Sequence, residues 1–135
     1  MATGGLSLNW RRIPARYRLV GSHCETCGEN FFPARNVCPN CRRKGNMKEK
    51  RFSGKGKVFT FTNVTAPPTG FELQAPYYMA IVELEEGPKL TTQLVDVNGK
   101  AVKIGDSVEV VFRKIQEDGK EGPIFYGYKF RLTGQ

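Results

Sequence analysis

Four cysteines stand in two pairs, Cys24-Glu25-Thr26-Cys27 and Cys38-Pro39-Asn40-Cys41, with ten residues between the pairs. Two residues between cysteines let one tight turn aim both sulfurs at a single ion. Two such turns facing each other complete a tetrahedron with metal–sulfur distances of about 2.3 Å. The spacing predicts a zinc site built from Cys24, Cys27, Cys38 and Cys41. Four thiolates close the coordination shell and leave no position for a reacting water, so the site is structural. An iron centre of rubredoxin type uses the same four sulfurs, and spacing alone leaves zinc or iron open; zinc is preferred because no redox partner domain is visible. Two disulfides would suit an exported chain, but the N-terminus carries Trp10 among arginines and no apolar h-region. A redox dithiol explains one C-x-x-C, not a pair of them. Gly28 directly follows the first pair, where left-handed backbone is often needed, and Arg42 takes that place after the second.

Little else in the chain could do chemistry. His23 is the only histidine and sits beside Cys24, where with four cysteines present it reads as a bystander. A Ser/His/Asp or Cys/His nucleophile system would need His23 or a thiol already committed to metal. Glu83, Glu85 and Glu86 read as carboxylates solvating a strand and its turn, and Asp106 as a turn cap. The chain is therefore expected to have no catalytic residue of its own.

The elements around the cysteines follow from pattern and charge. At 135 residues, with 9 Phe and 5 Tyr, the chain can bury one ordinary core, and no apolar run approaches the ~20 residues needed to cross a bilayer. The cytoplasm is the expected compartment. Residues 1–57 hold 13 Lys and Arg against 3 acids, whereas residues 58–135 hold 8 against 10, so the whole excess behind the net charge of +8 lies in the first half. Part of it offsets the negative thiolate site, through Arg35, Arg42, Arg43 and Lys44.

Residues 1–20 read as an arm. Pro14 should break any continuous helix there and leave at most a short helical turn on one side, with Arg16 to Gly21 extended. Trp10, Ile13 and Tyr17 either fold back on the core or anchor a docking segment among arginines. Residues 21–48 form the ribbon, and Arg42 to Lys57 reads as a basic connector. Residues 49–135 show five strand patterns, at Val58 to Val64, Tyr77 to Glu85, Leu90 to Val97, Ser107 to Ile115 and Ile124 to Leu132. In the last, Ile124, Tyr126, Tyr128, Phe130 and Leu132 should share one buried face. Five short strands with no long helix predict a mainly β chain closing into a small barrel.

Several segments together carry a family resemblance. They are His23-Cys24, Cys27-Gly28, Phe32-Pro33-Ala34-Arg35, Cys38-Pro39, Gly54-Lys55-Gly56-Lys57-Val58-Phe59-Thr60, Ala75-Pro76-Tyr77, Ala80-Ile81-Val82-Glu83-Leu84, Gln93-Leu94-Val95-Asp96 and Ile104-Gly105-Asp106-Ser107-Val108. They resemble the small acyl-CoA-associated proteins that join a rubredoxin-like zinc ribbon to a five-stranded OB-fold barrel, a family of thiolase partners. The likeness is strongest to archaeal members that hold an acetoacetyl-CoA thiolase and a hydroxymethylglutaryl-CoA synthase together in the mevalonate pathway. It implies a non-catalytic scaffold whose ribbon and arm grip enzyme subunits while the barrel sits where acyl-CoA passes. The family more often has a second proline where Ala34 stands here.

If CoA touches this chain, its phosphates call for cations and its pantetheine arm for an apolar groove. Arg42, Arg43, Lys44, Lys55 and Lys57 supply charge for CoA phosphates or partner contacts, and Phe71, Tyr77 and Tyr78 supply surface. A solvated face and plain barrel core are the competing explanations. OB-folds and zinc ribbons also bind nucleic acid. Against that, the barrel half is net −2 and its aromatics fall mostly on inner faces, poor ground for a phosphate groove.

Overall fold

Pro14 decides how the chain starts. The computed structural model describes residues 5–117 and 119–133. Two six-residue helices meet at Arg12, two residues before the proline, not the single short turn expected: α1, Leu6–Arg11, and α2, Ile13–Arg18. Pro14 lies in the first turn of α2, where its missing N–H would be unpaired anyway and its fixed φ suits a helix, so it starts a helix instead of ending one. Of the stretch Arg16 to Gly21 expected to be extended, helix α2 takes Arg16 to Arg18, while Val20 and Gly21 are in a strand as expected. It stops at Leu19, which takes the left-handed conformation at φ 53°. That backbone is unfavourable for leucine, and burial of the side chain to 2% exposure holds it there. The first four residues of the expected arm lie outside the described residues.

Strand β1 (Val20–Cys24) then runs between β2 (Asn30–Phe31) and β3 (Met47–Arg51) in a three-stranded antiparallel sheet, order β2-β1-β3. The stretch expected as a basic connector thus contains β3 and the start of β4. The charged text of β3, Lys48-Glu49-Lys50-Arg51, carries no apolar alternation because most of its side chains face water.

The barrel follows: β4 (Lys55–Val64), β5 (Tyr77–Leu84), β6 (Lys89–Val95), β7 (Ser107–Glu117) and β8 (Ile124–Leu132), closed in the order β4-β5-β6-β8-β7. The strand pattern predicted a small five-stranded barrel, and the resemblance implied that it is an OB-fold; the closed barrel agrees with both. Val58, Val82, Val108 and Phe130 fill its centre, fully buried. Leu19 and Phe52 join the same cluster from outside the barrel, and the ribbon's Phe32 sits edge-on to Phe52 and to Tyr128 of β8, with ring centroids 6.3 and 5.6 Å apart. Ribbon and barrel therefore share apolar packing.

Two departures shape the surface. The expected buried face of β8 holds at Phe130 but not at Ile124 and Tyr126, which are 46% and 37% exposed. The reason is length: β7 and β8 stay paired as far as Glu117 and Ile124, past a register shift between Lys114 and Gln116, in a ribbon that outruns the closed barrel. Closure is also thin on one side. Strands β6 and β8 run parallel and pair only at Leu94 with Phe130 and Val95 with Arg131. Beyond those pairs the two strands part, leaving a seam.

Candidate functional site

The two cysteine turns are built alike. Cys24 ends β1 and the Gly28 amide donates to its carbonyl at 2.8 Å; the Arg42 amide does the same for the Cys38 carbonyl, also at 2.8 Å. Both following residues are left-handed, Gly28 at φ 80° and Arg42 at φ 54°, so the second turn adopts the glycine conformation with an arginine in it. The turns are clamped face to face. Thr26 donates to the Lys44 carbonyl, the Glu25 amide to the Asn46 carbonyl, and the Asn46 side chain to the Glu25 carboxylate, which also pairs with Lys48 at 3.0 Å.

The result is that the sulfurs of Cys24, Cys27, Cys38 and Cys41 all lie within 4.8 Å of one another. Sulfurs about 2.3 Å from a shared tetrahedral ion would stand about 3.8 Å apart. Cys27 and Cys38 stand 3.6 Å apart, far beyond the ~2.05 Å of a disulfide bond, and all four thiols are free. The residues present fit a four-thiolate metal, and among the described residues no other group of metal-ligating side chains comes together. The Cys27 amide N–H beside Cys24 lowers its thiol to about 6, while burial and the neighbouring sulfurs push Cys41 up to about 12. Four thiols this crowded cannot all ionise unless a cation shares them.

His23 is turned to another task. Its Nδ1 lies 2.7 Å from the Asn30 side-chain oxygen, and the Asn30 amide donates to the Glu86 carbonyl at 2.9 Å. The Glu86 carboxylate in turn accepts from the Ser53 amide at 2.8 Å. This chain of bonds ties the residue next to Cys24 to the β5–β6 turn of the barrel, a link that nothing in the spacing announced.

The five cations named from the sequence fall on two segments. Arg42, Arg43 and Lys44 follow Cys41 at the second cysteine turn, while Lys55 and Lys57 project from β4, where they face Glu109 and Glu83 across the ladder. None of the five lines the hollow at the barrel seam or the one beside the arm.

A hollow of about 480 Å³ does open at the seam between β6 and β8. Phe71 and Tyr77 line it as the sequence suggested, together with Met79, Ile115 and Tyr128, whereas Tyr78 packs against Phe61. Two cations that sequence reasoning missed stand in it, Arg16 from the arm and Lys129 from β8. Lys129 lies on the face of β8 expected to be outward, yet it is 5% exposed and bonded to Gln74 at 3.0 Å. Burial, with Arg113 adding to it, pulls its ammonium below the ordinary lysine range. The parting of β6 from β8 is what creates the hollow, and only the paired register shows it.

Comparison with known proteins agrees with this architecture. Residues 11–47 match the model of the ChsH2 rubredoxin-like zinc ribbon domain, and residues 49–113 match the model of the ChsH2 C-terminal OB-fold domain. The chain is 52% identical over 122 residues to a DUF35 domain-containing scaffold protein of Methanothermobacter thermautotrophicus, spanning 90% of this chain and 92% of that one. A protein of the same description from Methanocaldococcus jannaschii is 53% identical over 123 residues, 91% of this chain and 87% of its own. Among solved structures, a chain of the Ltp2-ChsH2(DUF35) aldolase superimposes with a TM-score of 0.70 at 27% identity, covering 98% of each chain.

Proposed function

This chain belongs to the DUF35 family, in which a ChsH2-type zinc ribbon precedes an OB-fold, and from that premise we propose that it is a non-catalytic adaptor joining enzymes of acyl-CoA condensation. The observation that carries the reading is identity of about half the residues, along nine-tenths of the chain, with proteins described as scaffolds. The enzymes it joins are a thiolase and a hydroxymethylglutaryl-CoA synthase, as the resemblance of its motifs implies. Thiolase condensation is unfavourable, and holding the next enzyme beside it draws the product forward before it escapes.

Each part of the fold has a share in this. Cys24, Cys27, Cys38 and Cys41 hold a zinc ion, which when bound supplies folding free energy to a ribbon too small to keep a core of its own. Phe32 and the bonds from Asn30 to Glu86 transmit that rigidity to the barrel. The seam groove takes the pantetheine arm of the thioester. Its wall is mostly apolar. The parted edges of β6 and β8 offer backbone N–H and C=O groups to the amides of pantetheine, and Arg16 and Lys129 attract its anionic end.

Co-expression with a thiolase and a synthase tests the reading. One affinity tag on this chain should bring down both enzymes, and removing the chain should separate them and slow the coupled condensation. An untouched enzyme pair, or neither enzyme co-eluting, would refute it. The same preparation titrated with single-stranded DNA and RNA at rising salt should show no steep, salt-sensitive binding.

A further inference from the structure

Lys129 is buried without a counter-ion. Among the described residues it is the one buried lysine, and no carboxylate pairs with it. Its side-chain nitrogen donates instead to the Gln74 oxygen at 3.0 Å, and the Gln74 amide donates to the Ile115 carbonyl at 3.4 Å, which keeps that oxygen turned toward the lysine. An amine taken out of water ordinarily finds a carboxylate or gives up its proton. Lys129 has a neutral amide for a partner, so an uncompensated amine stands in the wall of the seam groove.

The groove holds cations and no acid. Arg16 and Lys129 both line its volume of about 480 Å³, and neither Asp nor Glu does. Arg16 donates to the Asn9 side-chain oxygen at 2.6 Å and has no carboxylate partner among the described residues. A guanidinium has five N–H groups, so most of its donors are left for a ligand. Around the two cations the wall is mostly apolar, with Phe71, Tyr77, Met79 and Ile115. Two cations in such a hollow suit a small anion that carries a short hydrocarbon part beside its charge.

The two cations differ in chemistry. Arginine keeps its proton and can only pair, whereas a lysine can lose its proton and become a nucleophile. An apolar hollow with a second cation nearby is the setting that activates a lysine toward carbonyl carbon. Burial, with Arg113 adding to it, holds Lys129 below the ordinary lysine range and so enlarges its share of free amine. Gln74 accepts one N–H and leaves the nitrogen lone pair of that free amine uncommitted.

We propose that the seam groove binds small aliphatic keto acids covalently and reversibly, with the carboxylate on the Arg16 guanidinium and the carbonyl carbon on Lys129 Nζ. The amine lone pair adds to the carbonyl carbon, the two amine hydrogens leave with the carbonyl oxygen as water, and a C=N bond remains; water reverses the step. The proposal goes beyond the adaptor reading and does not rest on it. A keto acid held there would exclude a pantetheine arm from the same walls.

The test uses the metal-loaded chain by itself. It is incubated with pyruvate, acetoacetate or levulinate, whose carbonyl carbons stand at increasing distance from the carboxylate, and with 2-butanone, a ketone that has none. Sodium cyanoborohydride converts an imine into a stable secondary amine, and peptide mass spectrometry locates it. With at least one keto acid Lys129 should be labelled about tenfold faster, or more, than any exposed lysine. That acid should also outpace 2-butanone at Lys129 by about tenfold or more, and Arg16→Gln should erase most of this preference. Lys129→Arg keeps the charge and should lose the fast label, with metal content and circular dichroism as in the native chain. Labelling of Lys129 no faster than of exposed lysines with all three acids, no preference over 2-butanone, or a fast label that persists in Lys129→Arg each overturns the proposal. The first two comparisons need only the native chain, so they decide the matter even if a variant fails to fold. No enzyme partner is present, so a negative result here leaves the co-purification of thiolase and synthase standing, and failure of that co-purification leaves this labelling standing.

Discussion

Two glycines near the cysteines are there for different reasons, and substituting each by alanine separates a strained backbone from a distorted metal site. A Cβ on Gly28 would have nothing within 4 Å, but the residue sits at φ 80°. Gly28→Ala therefore carries a purely conformational penalty of about 1–2 kcal/mol, less some relief from a more restricted unfolded chain. A Cβ on Gly45 would stand 2.9 Å from the Cys38 Cβ and 3.2 Å from the Cys41 Cβ. Those atoms cannot swing aside, because each is one bond from a sulfur committed to the ion. Gly45→Ala must push the second turn outward, and the cost of such overpacking, about 1–3 kcal/mol, falls on the geometry of the site. The expected result is a metal dissociation constant raised about tenfold to a hundredfold for Gly45→Ala, and a smaller change for Gly28→Ala. Competition against a chromophoric zinc chelator measures both, and cobalt in place of zinc reports whether four sulfurs remain in a tetrahedron. The reasoning is refuted if Gly45→Ala binds metal as tightly as the native chain while Gly28→Ala does not.

Other expectations follow from single groups. Serine in place of Cys24, Cys27, Cys38 or Cys41 should release the metal and unfold the ribbon, since binding is coupled to folding; equilibrium dialysis with zinc and proteolysis of residues 21–51 would reveal a ribbon that survives without it. Asn30→Ala removes the bridge from His23 to the Glu86 carbonyl. A loss of about 1–3 kcal/mol is expected in denaturant titration, with the β5–β6 turn exchanging its amide hydrogens faster; unchanged exchange would cut the proposed link. Lys129 has its folded pKa lowered by burial. Below that pKa both folded and unfolded chains carry the charge, and the fold bears the cost of burying it. As pH rises toward the unfolded value of 10.5 the cost disappears, so stability should climb across that window. Lys129→Met should raise the melting temperature at neutral pH and abolish the climb; an equal climb in the variant would assign it elsewhere.

How far the sequence could be read depended on whether a signal is local. Two C-x-x-C pairs specify their site because each turn is closed within five residues by its own carbonyl bond. The barrel strands were legible for the same kind of reason: Ala80, Val82 and Leu84 alternate against a single core. Strand β3 was not, because its charged residues carry no alternation and its pairing to Val20–Cys24 is remote in sequence. Pro14 misled because the same ring that breaks a helix interior is favoured in a first turn, and only the boundary of α2 distinguishes the two. The seam escaped notice altogether. It exists because β6 and β8, far apart in the chain, share only two residue pairs before they part, and no local pattern encodes where a parallel pairing ends.

Arg16 shows why that non-local geometry matters for an adaptor. Its guanidinium holds Asn9 beneath α1, while its side chain also borders the groove and lies against Gly127 of β8. A Cβ on Gly127 would sit 3.6 Å from the Arg16 Cβ and closer still to Ile115, so the arm rests on the barrel at a point where the strand has no side chain to hold it off. Any partner that fixes α1 therefore also fixes one wall of the groove. Helix α1 is six residues long and turns Leu6 and Trp10 outward, and a helix so short has little stability of its own. Placing a groove cation on such an element couples the position of the arm to the completeness of the groove.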